Sequence, residues 1–142
     1  MPLIDISDEL AQSLLKAEGT SGELRIALRV ATAPYPIPSG LSPLGVQAAK
    51  AVLAVAAERG SLCGGVERPF VHPDEWKARG ETYGLFAELI VIHDGGPFAP
   101  LLSYDYEEYD WIERLTKRLS PLGVYAEQCT TWYSAIYLRG GS

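Results

Sequence analysis

The sequence predicts an α+β protein: an antiparallel sheet of about four to five strands with helices on one face and an extra helix at the N-terminus. Three observations carry this. A helix bounded by signals at both ends lies between Ser42 and Gly60, a nearly continuous apolar run occupies 85–92, and residues 124–138 alternate in the manner of strands. After the first helix the elements read β, α, irregular segment, β, β, α, β. This is the βαββαβ order of ferredoxin-like folds. The length of 142 residues suits one domain over 1–142.

The N-terminal helix is expected over Ile6–Gly19, with Ser7 as its cap, Leu10, Leu14 and Leu15 on one face and Gly19 as its stop. A strand follows from Leu24 to Val30, where Leu24, Ile26, Leu28 and Val30 alternate with Arg25, Ala27 and Arg29. Residues 33–40 hold three prolines in five positions, which predicts an extended, non-ladder segment. The next helix takes Ser42 as cap, Pro43 at its first position and Gly60 as its stop, around an Ala-rich apolar middle. Gly45, near its start, leaves room for an anion to approach the backbone.

Residues 61–82 are irregular, with a helical turn expected around Pro73–Ala78. Leu85–Ile92 reads as a central strand buried on both faces, and His93–Pro97 as a turn. Phe98–Ser103 is expected to return as an edge strand containing Pro100. Tyr106–Leu119 forms the next helix, with Ile112, Leu115 and Leu119 buried and Arg114, Lys117 and Arg118 at its C-terminal end. Val124–Leu138 is one strand or two, broken around Cys129–Thr131.

Charge narrows the function. The formal charge is −6, yet 81–113 holds eight acids and neither Lys nor Arg, so the rest of the chain is net positive by two. A nucleic-acid binder needs cations to displace counterions from phosphates, which disfavours direct nucleic-acid binding. Anionic membrane surfaces are disfavoured for the same reason. No apolar run reaches the length of a membrane span, the N-terminus lacks a secretory pattern, and two cysteines make no disulfide framework. A cytoplasmic protein is expected.

Candidate chemistry is sparse. His72, His93, Cys63 and Cys129 lack the paired spacing of a zinc site, and serine-hydrolase, P-loop, dinucleotide and HExxH patterns are missing. No cofactor or metal is expected. Glu88, an acid inside an apolar strand, requires a partner such as Arg25 or Arg29, or else a cleft. Tyr and Trp supply eleven of fourteen aromatics, and side chains with one apolar and one polar end favour half-wet interfaces.

The expected function is therefore non-enzymatic binding of a basic protein surface, as an inhibitor or nucleic-acid mimic, through an acidic, tyrosine-rich face. The binding residues are Asp105, Tyr106, Glu108, Tyr109 and Asp110, joined by Trp132 and Tyr133 and by His93 and Asp94. An alternative is a domain, in monomeric or homo-oligomeric form, that binds a small molecule or nucleotide in a pocket between 60–82 and His93–Asp94. A third is an enzyme using Cys63 and His93.

Overall fold

The computed structural model describes residues 22–31, 33–60 and 62–140, so the helix expected over 6–19 lies outside the described residues. Helix α1 spans Gly22–Ala31 and α2 Pro43–Arg59. Strand β1 (Phe70–Val71) leads into α3 (Pro73–Ala78), and β2 spans Leu89–Ile92. Helix α4 (Ala99–Leu102), a 3-10 turn (Tyr104–Tyr106), α5 (Tyr109–Leu119) and a second 3-10 turn (Ser120–Leu122) precede the hairpin of β3 (Val124–Gln128) and β4 (Tyr133–Leu138).

The four strands form one antiparallel sheet in the order β1-β2-β4-β3, which bears out the α+β class and the antiparallel sheet. The βαββαβ order is not the order observed, because the segment expected to be the first strand is helical. Leu24 and Leu28 satisfy a period of two and a period of four at once, so their spacing fits both structures. In α1 Leu28 is buried at 1% exposure while Leu24 keeps 38%. Phe98–Ser103 is likewise a helix instead of an edge strand: Pro100 sits in the first turn of α4, where its missing N–H costs nothing.

Helix α2 forms as its end signals require. The Ser42 Oγ accepts from the Gly45 N–H at 3.0 Å, Pro43 opens the first turn, and Gly60 closes the helix with φ 118°. Ten of its residues, from Gly45 to Ala57, are buried. Its small side chains let it lie close to the sheet, in a core with Phe70, Leu89, Val91, Val124 and Ile136. Residues one position out of phase along the strands face the other side. There Val71, Ile90, Ile92, Tyr133 and Ala135 pack with Trp76 of α3. The helices are thus not all on one face, because the short α3 covers the second.

The pairing expected for Glu88 is also corrected. Its Oε1 accepts from the Ser42 hydroxyl at 2.7 Å, and neither Arg25 nor Arg29 takes that place. The carboxylate sits at the start of α2, where the helix dipole favours negative charge. A side-chain Cβ on Gly45 would stand 2.6 Å from the Glu88 carbonyl oxygen. The small residue at 45 therefore lets the helix start approach the strand's own backbone, and the anion at this helix end is Glu88.

Candidate protein-binding face

The turn between α4 and α5 is built from a buried serine outwards. Ser103 is fully buried and extended, and it stops α4 while its N–H still donates to the Ala99 carbonyl at 2.8 Å. Its Oγ accepts from the Asp105 N–H at 3.3 Å and from Gln128 Nε2 at 3.3 Å, and donates to Asp105 Oδ2 at 3.4 Å. Such a local side-chain cap offers the backbone a turn in place of a longer helix. Gln128, at the end of β3, accepts the Tyr104 N–H on its Oε1 at 3.0 Å. The 3-10 turn then ends at Glu107 with φ 56° and ψ 24°, a left-handed conformation that costs a non-glycine residue about 1 kcal/mol.

The far side is clamped by charge. Arg59, at the end of α2, forks onto Glu108, with Nε to Oε1 at 3.0 Å and an NH2 to Oε2 at 2.8 Å. Six residues further on, Arg114 forks onto Glu58 at 3.2 and 3.0 Å. That pair holds the Arg114 guanidinium above its usual pKa, first through the hydrogen bond and then through the charge of Glu58. Paired forks of this kind fix the direction of α5 against α2.

The result is a held turn with polar aromatics outside. Tyr104, Tyr106 and Tyr109 are 58%, 48% and 56% exposed, and the rings of Tyr104 and Tyr109 lie 6.3 Å apart. Asp105, Glu107 and Asp110 are exposed among them. Of the residues expected to bind, Asp105, Tyr106, Glu108, Tyr109 and Asp110 are brought together here, with Glu108 engaged by Arg59.

Trp132 and Tyr133 are placed elsewhere. They pack with Trp76 on the α3 side of the sheet, with ring centroids 4.7–5.6 Å apart, and Tyr133 is only 2% exposed. Arg79 stacks on Trp76 from outside at 4.5 Å. Trp76 and Tyr133 belong to the core, and the half-buried Trp132 packs against them.

His93 is buried at 1% exposure, while the neighbouring Asp94 is exposed. Its Nε2 lies 2.9 Å from the Ser134 Oγ, which donates to the Leu102 carbonyl at 3.5 Å. Nε2 and the Ser134 hydroxyl thus satisfy one another, while Nδ1 meets no hydrogen-bond partner among the described residues. Burial pushes the His93 pKa down against the raising effects of its own backbone and of Asp94. Thus His93 is joined to the residue preceding Ser103, and it underlies the turn without reaching its surface.

The backbone of the 60–82 segment comes close to the turn after His93–Asp94 at one point, where a Cβ on Gly96 would stand 2.6 Å from the Gly65 Cα. Two grooves are lined mainly by other residues. One of about 1180 Å³ runs between α1, the proline-rich 33–41 segment and α2, lined by Ile26, Val30, Tyr35, Ile37, Lys50 and Leu53. The other, of about 480 Å³, lies between 82–86 and the end of β3. Cys63 is exposed and Cys129 half-buried, and burial, then the charge of Glu127, raises the Cys129 thiol pKa. Among the described residues no group of His, Cys, Asp and Glu is placed to hold a metal ion, and no helix is long and apolar enough to cross a membrane.

Residues that sequence reasoning missed are the supports of the face: Ser103, Gln128 and Arg59. Ser103 two residues before an aspartate carried a local turn signal, whereas Gln128 and Arg59 act across 24 or more residues and left none. No protein-family model matches the chain, and comparison with curated proteins and with solved structures finds no match.

Proposed function

We propose that the protein is a binding protein whose turn at 104–110 engages a basic protein surface. One observation carries this reading: three exposed tyrosines and three acids without an ion-pair partner among the described residues share a turn anchored from α2, α4 and β3. A turn already held in shape loses little conformational freedom on binding. Exposed tyrosines supply contact area with few rotatable bonds, and the acids steer a cationic partner towards them. An inhibitor that occupies the nucleic-acid site of a basic enzyme is the sharpest form of the reading.

The test uses a Glu107→Lys/Asp110→Lys variant, which leaves the Arg59–Glu108 clamp in place. A partner captured on the immobilised wild-type protein is purified, and its affinity for both forms is measured across a salt series. The expected result is a loss of at least tenfold in affinity at low salt, with a flatter salt dependence. Equal affinities and equal salt slopes would remove this face from the binding reaction.

A further inference from the structure

Strand β3 is an edge of the sheet. The Arg139 N–H donates to the Gly123 carbonyl at 2.7 Å, and the Cys129 N–H to the Tyr133 carbonyl at 3.1 Å. The odd-numbered residues of this strand therefore turn their backbone groups towards β4, and the even-numbered ones turn theirs away. Val124 is fully buried where β3 meets the Ser120–Leu122 turn. Ala126 and Gln128 are half-buried, and no described backbone group bonds to their outward N–H and C=O. Sheet edges are commonly protected by Lys, Pro or a bulge, yet none of these interrupts 124–128, where the charged residue is Glu127.

Two features flank this open half-edge. At its end, Gln128 touches the acidic turn through Tyr104. On the α3 side, Glu127 and Tyr137 join Thr82–Phe86 around the groove of about 480 Å³. Phe86 is 87% exposed, more than any other large apolar side chain among the described residues. A peptide lying along β3 would send alternate side chains to that side.

We propose that the β3 edge at Ala126–Gln128 takes an extended, basic segment of the partner as a fifth strand. An apolar side chain of that segment packs on Phe86, and its Lys or Arg residues meet Glu127 and the acids of the 104–110 turn. Main-chain hydrogen bonds supply the affinity and the groove supplies the choice of side chain. Charge selects a basic segment over a second copy of this chain: each copy carries −6 overall and Glu127 on the pairing strand, so self-pairing sets like charges together. The inference rests on the proposed basic partner and specifies how that partner is gripped.

The probe is the acetylated and amidated peptide Lys-Val-Phe-Lys-Lys-Val-Lys, which sets Lys both on the face of its Phe and on the opposite face, added to the full ¹⁵N-labelled chain, with amide shifts and amide exchange as readouts. Saturable shifts and slowed exchange at Ala126 and Gln128 are expected. N-methylation at alternate peptide positions keeps its charge and side chains, and it is expected to weaken binding at least tenfold. Phe86→Ser, at a site too exposed to govern folding, is expected to weaken binding at least threefold. Equal affinity of the N-methylated peptide, shifts confined to 104–110, or no saturable binding would each overturn the strand-addition proposal. Shifts confined to 104–110 would leave the acidic-face reading standing. Shifts at Ala126 and Gln128 that persist undiminished in Glu107→Lys/Asp110→Lys would support the edge and count against the face.

Discussion

His93, linked through Ser134 to the residue before Ser103, gives the fold a pH dependence that follows from its surroundings. The ring is buried, its Nε2 is hydrogen-bonded with the Ser134 hydroxyl, and protonating it would place a charge in a site closed to water. Burial therefore lowers its pKa from the ordinary value of 6.5, and its own backbone and then Asp94 offset only part of this. Below 6.5 the unfolded chain binds a proton that the folded chain resists. Stability is complete above that value and falls as the pH drops towards the folded-state pKa. One proton changes stability by at most about 1.4 kcal/mol per pH unit, so with an unfolded value of 6.5 the ceiling between pH 7.5 and 5.5 is about 1.4 kcal/mol. The assay is urea unfolding at several pH values across that window, above the range in which ordinary carboxylates titrate, for the wild type and for His93→Gln. Gln keeps an N–H for Ser134 but does not titrate. Other titrating groups cancel in the difference, so the wild type should lose on the order of 1 kcal/mol more than the variant on acidification. Parallel pH profiles for the two proteins would refute the assignment of a resisted proton to His93.

Two further outcomes test the frame around the site. Ser42→Ala removes both the cap of α2 and the hydroxyl on Glu88, and should cost about 2 kcal/mol in urea unfolding; a loss below about 0.5 kcal/mol would mean that water replaces both bonds. Gly96→Ala places a Cβ 2.6 Å from the Gly65 Cα at a φ of +85°, whereas Gly64→Ala, also at +85°, meets open space. Calorimetry should therefore show a clearly larger drop in Tm for Gly96→Ala, while equal drops would show that left-handed strain alone, about 1 kcal/mol, governs both positions.

How legible an element was depended on whether its signals were local. Helix α2 was readable end to end because Ser42, Pro43 and Gly60 act within a turn of where they stand. The strand character of 124–138 and its break around Cys129–Thr131 were readable, but only the pairing in the structure decides between one strand and the β3–β4 hairpin. The α3 turn was likewise marked by Pro73. By contrast, α1 was misread because a strand requires a neighbour in the sheet, and nothing in 24–30 reports whether one exists. Its Leu24/Leu28 pair fits either period, and its burial was settled by packing on α2. At Phe98–Ser103 the apolar run was too short for periodicity to separate a buried helix from a strand.

The same division explains the site. Tyrosine and acid content marked 104–110 correctly as a surface, but composition by itself does not separate Glu107, Glu108, Asp110 and Glu113, all of which suit the start of a helix. Their surroundings separate them. Glu108 is held by Arg59, and Glu113 pairs with Lys117 one turn along α5 at 3.2 Å. Asp105, Glu107 and Asp110 have no ion-pair partner among the described residues. Glu107 also holds a left-handed backbone where glycine would be unstrained, so this position carries an acid at a conformational cost. A solvated helix start would account for the charge but not for that strain, nor for three half-exposed tyrosines on the same turn. Exposed acids, a strained acidic residue and polar aromatics coincide on a segment tied down by Ser103, Gln128 and Arg59. That coincidence favours a surface shaped for contact over one that merely keeps the protein in solution.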